Sequence, residues 1–337
     1  NTKITGLSHT LDVNNTQTFY NLTFQPNNGS GKIIASGDTF IVLNDLYLND
    51  GFVHNPGILE ARGNVTIAST FDGGTTDLRF TGSSTSGMLN QNFTIPPYLF
   101  DGDVTVNKSE GEVVLLSSLF MNASNQDLVI SSGTLNLNGN NLSATGTANT
   151  IRGQGGTLKL IGSETITAIS IYPTFTSTST VEYYGTSGTY TLKDYTYGGL
   201  KISGSGGTFE PASSTLNVLG DFTLSNGIFN ASNTTNVYGN WVRAGGTFTH
   251  NNNTVRLIGG NQSVLGSNTF YNLTKSSTTS FTLSFGNGTT QTILNTLTLQ
   301  GASGQFLNLR SDTPGSYWYF GPQGTRTLAY VNAKDSY

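Results

Sequence analysis

Short blocks of alternating apolar and polar residues, separated by glycine, run along most of this chain. In GDFTL (220–224) and LRFTG (78–82), every second residue is apolar, which is the pattern of a strand with one buried face. β-Branched and aromatic residues supply most of the apolar content, and these residues favour strands. Apolar runs with the helical period are absent. The pattern therefore predicts an all-β fold without helices.

The strand blocks recur with a period of about twenty residues. The motif Gly-Thr-Phe or Gly-Ile-Phe ends at Phe209, Phe229 and Phe248, which are 20 and 19 residues apart. Such a period suits a solenoid, because each strand then pairs with the equivalent strand of the next coil, about 4.8 Å away. We therefore predict a parallel β-solenoid (β-helix) of roughly 20-residue coils with stacked aromatic side chains in its core. Tandem β-sandwich domains are the alternative.

A longer duplication lies over this period. LNDLYLNDGF (43–52) matches LGDFTLSNGI (219–228) at an offset of 176 residues. The motif FYNLT (19–23) and looser versions of it mark the starts of four modules, near residues 19, 100, 197 and 270. We therefore expect solenoid repeats over residues 1–309, followed by a less regular C-terminal segment of turns and strand over residues 310–337.

The first residues of the chain already follow the repeat pattern. Residues 3–18 resemble residues 257–269, the stretch that closes a module before the second FYNLT. The sequence thus predicts end coils without a capping domain, and uncapped strand edges attract further strands. Two interpretations stay open: a cut from a longer array, or subunits that cap one another in a head-to-tail polymer.

Composition and charge exclude several classes of partner. Only 10% of residues are charged, the net charge is −4, and no basic patch is present, so nucleic acid is not expected as a partner. No apolar run is long enough to span a bilayer, so membrane insertion is not expected. The chain contains no cysteine, which excludes a disulfide framework or a thiolate site.

The sequence offers weak candidates for catalysis. Asp101 and Asp103 form the tightest acidic pair, but Asp-Gly-Asp is also typical of a tight turn. His9, His54 and His250 are far apart and lack metal-ligand spacing. We therefore expect no catalytic site, no cofactor and no metal, and keep a carbohydrate-active β-helix enzyme as the weaker alternative.

Asparagine sequons and one aromatic cluster are the site-like signals. Of fourteen Asn-x-Ser/Thr sequons, those in turn-like text are the better candidates for N-linked glycans: Asn14, Asn28, Asn122, Asn230, Asn233, Asn252 and Asn287. Four consecutive aromatic residues, Tyr317, Trp318, Tyr319 and Phe320, cannot all face inward on one strand. We therefore predict that this cluster forms an interface.

The repeat text resembles that of known surface proteins. FYNLT, GDFTLSNGIFNAS, YGNWVRAGGTF and the closing LNLRSDTPGSYWYF are similar to repeat modules of large secreted β-solenoid surface proteins and adhesins of bacteria and archaea. The resemblance implies an extracellular parallel β-helix used in adhesion, surface structure or filament formation. The leading hypothesis is an extracellular structural protein, the subunit of a surface filament or layer, whose partners are copies of itself. The rod segment of a cell-surface adhesin is the alternative.

Overall fold

The computed structural model describes residues 1–26, 29–97, 100–168 and 173–337. In these ranges the chain is all-β, and its stacked coils form a parallel β-solenoid of about 15 turns of roughly 22 residues. The predicted fold class is therefore confirmed, and the antiparallel sheets of tandem β-sandwiches are not found in the described residues. The chain divides into two compact units, residues 1–174 and 175–337.

The first unit contains twenty short strands. They are β1 (Thr2–Ile4), β2 (His9–Leu11), β3 (Thr16–Phe19), β4 (Leu22–Phe24), β5 (Gly31–Ile34), β6 (Thr39–Val42), β7 (Asp45–Leu48), β8 (Gly51–His54), β9 (Ile58–Ala61), β10 (Asn64–Ile67), β11 (Phe71–Gly73), β12 (Asp77–Phe80), β13 (Gln91–Thr94), β14 (Val104–Leu115), β15 (Leu119–Met121), β16 (Leu128–Asn136), β17 (Leu142–Ala144), β18 (Ile151–Gly153), β19 (Thr157–Leu160) and β20 (Ile166–Ala168). Three strands make one coil, so that β1, β4, β7 and β10 form one ladder. The second ladder is β2, β5, β8 and β11. The third is β3, β6, β9 and β12.

The strand β21 (Thr174–Phe175) spans the division between the units, and the remaining strands belong to the second unit. They are β22 (Thr180–Tyr183), β23 (Gly188–Leu192), β24 (Thr196–Tyr197), β25 (Gly199–Ile202), β26 (Gly207–Pro211), β27 (Thr215–Val218), β28 (Phe222–Leu224), β29 (Ile228–Asn230), β30 (Thr234–Val237), β31 (Trp241–Arg243), β32 (Thr247–Thr249), β33 (Thr254–Leu257), β34 (Gln262–Leu265), β35 (Asn268–Ser276), β36 (Phe281–Phe285), β37 (Thr290–Gln300), β38 (Leu307–Ser311), β39 (Tyr319–Pro322), β40 (Thr325–Ala329) and β41 (Val331–Ala333). The long ladder β27, β30, β33, β35, β37 and β40 forms one face of this unit.

The core of each unit is a stack of inward-facing side chains from successive coils. Phe209 pairs with Phe229, and Phe229 pairs with Phe248, so the recurring phenylalanines lie directly above one another. Phe209 and Phe229 are fully buried, and the ring centroids of Phe229 and Phe248 are 6.2 Å apart. The strand alternation predicts this stack, because inward positions repeat every two residues along a strand and once per coil.

Coil length varies more than the sequence motifs indicate. Asp45 pairs with Asn64, a coil of 19 residues, whereas Thr296 pairs with Thr325, a coil of 29. The repeated Gly-Thr-Phe text marks the shortest coils, which explains the expected period near 20 where the mean is about 22. Glycine is required where corners of adjacent coils meet: a Cβ at Gly63 would lie 1.5 Å from the carbonyl oxygen of Asn44.

Candidate functional site

The acidic pair Asp101 and Asp103 lies at a coil corner. The backbone N–H of Asp103 donates to Asp77 Oδ1 at 3.3 Å, and Asp103 Oδ1 accepts from the backbone N–H of Asp127 at 2.7 Å. Burial raises the pKa of Asp103, while the hydrogen bond from the Asp127 backbone lowers it. Burial also raises the pKa of Asp101. Asp77 and Asp103 thus hold the corner of the following coil, as aspartate does in turns.

The three histidines occupy surface positions on the solenoid. His54 stacks on Phe52 with ring centroids 5.6 Å apart, and His250 stacks on Tyr271 at 5.7 Å. His9 and His54 both line an open groove of about 560 Å³ on the first unit. Within the described ranges, no group of three or more His, Cys, Asp or Glu residues is placed to hold a metal ion.

A buried lysine and a buried glutamine form a polar clamp in the first unit. Gln91 Nε2 donates to the carbonyl oxygens of Ala61 at 2.9 Å and Gly63 at 2.6 Å. Lys108 Nζ donates to Gln91 Oε1 at 2.6 Å, to the Met88 carbonyl oxygen at 3.2 Å and to that of Gly82. Both side chains are fully buried. The clamp therefore ties the loop that begins at Gly82 to the coil below it.

The second unit contains the same clamp. Gln262 Nε2 donates to the carbonyl oxygens of Val237 at 3.0 Å and Gly239 at 2.5 Å. Lys275 Nζ donates to Gln262 Oε1 at 2.6 Å and to the carbonyl oxygens of Gly259 and Gly260, both at 3.0 Å. Gly239 follows Gly63 by the 176 residues of the sequence duplication, so the clamp belongs to the duplicated module.

Burial lowers the pKa of Lys108 and of Lys275 from 10.5 to about 8. The sequence analysis did not find these lysines, although it contained a signal. Lys275 ends the motif FYNLTK at the position where FYNLTF has the buried Phe24. A lysine at a position reserved for the core indicates a buried cation with acceptors around it.

A third glutamine has the same geometry without a lysine. Gln126 Nε2 donates to the carbonyl oxygens of Phe100 at 2.7 Å and Gly102 at 3.0 Å. Its Oε1 atom is buried and has no hydrogen-bond partner among the described residues. Gln126 is therefore a natural comparison for the two lysine clamps.

The predicted glycosylation sites lie mostly at the surface. The exposed ones are Asn14, Asn122, Asn233, Asn252 and Asn287. Asn230 is half-buried, and its Nδ2 donates to Glu210 Oε1 at 2.7 Å. Asn28 lies outside the described residues. Occupancy by glycans stays a prediction at all seven positions.

The aromatic cluster divides between core and surface. Trp318 is buried and stacks on Phe285 with ring centroids 4.1 Å apart, and its Nε1 donates to the Lys334 carbonyl oxygen at 3.2 Å. Tyr317 and Tyr319 are exposed, and Phe320 is half-buried. Alternation along the strand thus brings two of these rings outward, and their role as an interface stays a prediction.

The last coil leaves inward-facing positions uncovered. In β40, Arg326 pairs with Leu297 and Leu328 pairs with Leu299. Both leucines of β37 are buried, so Arg326 and Leu328 occupy inward positions, yet Leu328 is 55% exposed. A pit of about 430 Å³ opens here, lined by these side chains and by Trp318. The coil therefore presents core side chains to the exterior.

The first coil is open in the same way. In the described residues, β1, β2 and β3 each pair with another strand on one edge. Gln17 pairs with Phe40 and Phe19 pairs with Val42, and both partners are buried. Gln17 and Phe19 therefore occupy inward positions, but Gln17 is exposed and Phe19 only half-buried.

Comparisons of this chain with protein families, curated proteins and solved structures give no match. The resemblance to secreted surface proteins is thus supported for the solenoid fold and stays a prediction for location and role. No helix capable of crossing a membrane is present in the residues that the structure describes. What the coordinates and the comparisons together show is a parallel β-solenoid of repeated coils.

Proposed function

We propose that this protein is a structural subunit that assembles head to tail, through its open first and last coils, into an extracellular filament or surface layer. The observation that carries the proposal is the uncovered core of the last coil, with Leu328 at an inward position and the adjacent pit. Exposed apolar surface of this kind marks an interaction site. Complete burial of a leucine side chain contributes about 1.5–3 kcal/mol.

The backbone at both open coils supports the same partner. Edge strands present unpaired N–H and C=O groups, which accept another strand by β-augmentation. A coil with three parallel strands is the complement of such an edge, and each copy carries an open coil of this kind at β1–β3 and at β39–β41. Contacts between unlike surfaces that do not close into a ring generate a filament. The extracellular location rests on the sequence resemblance.

The test is electron microscopy and sedimentation of the full chain at neutral pH over a range of concentrations. We expect fibres, and we expect the Leu328→Asp variant to remain monomeric. Leu116→Asp is the matched control, because Leu116 is 51% exposed and lies in the first unit away from β1–β3. Discrete particles of the wild-type chain at high concentration would refute assembly and favour the adhesin segment, in which a further coil of a longer chain covers the pit.

A further inference from the structure

The third strand of the first coil and the third strand of the last coil have matching sequences. Strand β3 begins Thr-Gln-Thr-Phe from Thr16, and β40 begins Thr-Arg-Thr-Leu from Thr325. In both strands the threonines are outward and exposed, while the second and fourth residues occupy inward positions. Two open edges thus present one pattern of side chains.

The inward polar residues of these strands have complementary free groups. Arg326 Nη2 donates to the Pro322 carbonyl oxygen at 2.6 Å, and its other N–H groups have no acceptor among the described residues. Gln17 Nε2 donates to the Thr18 carbonyl oxygen at 3.1 Å, which leaves the Oε1 atom as an acceptor. A guanidinium donor and an amide acceptor form a charge-assisted hydrogen bond.

The inward apolar residues are complementary as well. Leu328 lines the pit of the last coil, and Phe19 projects from the first coil at the corresponding position of its strand. A ring placed above Leu328 continues the column of inward side chains formed by Leu299 and Leu328. A slip of one residue would point Phe19 and Gln17 outward, because side chains alternate between the two faces of a strand.

We infer that copies of this chain join with β3 of one copy stacked in parallel on β40 of the next, in the register that places Gln17 opposite Arg326 and Phe19 opposite Leu328. This inference rests on the proposed head-to-tail assembly and specifies its contact. In this register Thr16 lies opposite Thr325, and Thr18 lies opposite Thr327. All four strand pairs then repeat the in-register stacking seen between coils within each unit.

Cysteine cross-linking tests the register, since the native chain contains no cysteine. A Thr18→Cys chain is mixed with a Thr327→Cys chain under mild oxidation, and the disulfide-linked peptides are identified by mass spectrometry. The proposed register places the two Cα atoms about 4.8 Å apart, within the range of a disulfide. The matched control mixes Thr16→Cys with Thr327→Cys, where the diagonal separation of about 7–8 Å prevents efficient linkage.

A charge swap tests the polar contact. Gln17→Arg places two guanidinium groups opposite each other, so we expect the concentration needed for assembly to rise by about tenfold or more. The double variant Gln17→Arg with Arg326→Gln restores an arginine opposite a glutamine, and assembly should return to near the wild-type concentration. Both positions are exposed in the single chain, so the variants leave its fold intact.

The outcomes separate the register from the function. Fibres with the 18–327 linkage and rescue by the swap support the inference. Fibres that give the 16–327 linkage or only linkages between identical cysteines overturn the register and leave head-to-tail or another assembly standing. A wild-type chain that forms no fibres overturns the proposed function, and the register with it.

Discussion

The polar clamps allow a direct measurement of what a buried lysine contributes to this solenoid. Gln91 and Gln126 lie in the same unit, and each donates two hydrogen bonds to carbonyl oxygens of a neighbouring coil. They differ at Oε1, which accepts from Lys108 in Gln91 and lacks a partner in Gln126 among the described residues. Replacing each glutamine by leucine keeps the volume and removes the amide.

The expected losses of stability differ because of that one atom. Each variant loses two amide hydrogen bonds, about 1 kcal/mol apiece. Gln91→Leu also removes an acceptor from a buried ammonium group, which adds about 1.5–3 kcal/mol. Gln126→Leu removes a buried acceptor that has no partner, which offsets part of its loss. We therefore expect Gln91→Leu to lower the free energy of unfolding by about 4 kcal/mol and Gln126→Leu by about 1 kcal/mol.

Urea denaturation followed by far-ultraviolet circular dichroism measures both variants on the same transition. A double-mutant cycle with Lys108→Met isolates the coupling between Lys108 and Gln91, which should be about 1.5–3 kcal/mol. Equal losses for Gln91→Leu and Gln126→Leu, or a coupling near zero, would show that the lysine contributes nothing through its glutamine and would refute the clamp.

Two further predictions concern pH and the coil corners. Because the pKa values of Lys108 and Lys275 fall to about 8 on folding, the unfolded chain binds more protons above pH 8, so the free energy of unfolding should rise between pH 8 and 10; a flat profile, or a rise that persists in the double variant Lys108→Met with Lys275→Met, would contradict this. Gly63→Ala should destabilise the protein by more than 3 kcal/mol in thermal or urea unfolding, since its Cβ would overlap the Asn44 carbonyl. Gly304→Ala, at φ +72° in open space, should cost only about 1–2 kcal/mol, and equal effects at the two glycines would contradict the close approach.

The fold was predictable because two local periods carry it. Alternation of two places Phe209 and Phe229 on the inner face, and the coil period places one above the other. Glycine before a corner asparagine, as at Gly63, is needed because the next coil passes within contact distance. These requirements act at short range along the chain, so they leave a visible pattern in the residues themselves.

The sequence analysis was less informative about coil length and about the lysine clamps. Longer coils contain excursions such as the loop that begins at Gly82, and nothing local distinguishes such a loop from a missing repeat. Lysine is usually a surface residue, so Lys108 and Lys275 give no sign of burial when each is considered alone. Their acceptors come from residues 13 to 26 positions away, and only closure of the coil brings these atoms together.

The amino-acid sequence by itself therefore determined the all-β class, the parallel coils and the aromatic columns, because side-chain period and corner glycines act locally. The tertiary structure alone decided which polar side chains are enclosed and which core side chains remain open. Trp318 is buried while Tyr317 beside it is exposed, and Leu299 is covered while Leu328 directly above it is not. Burial depends on whether another coil lies above a residue, and that is a property of the stacked chain rather than of any segment within it.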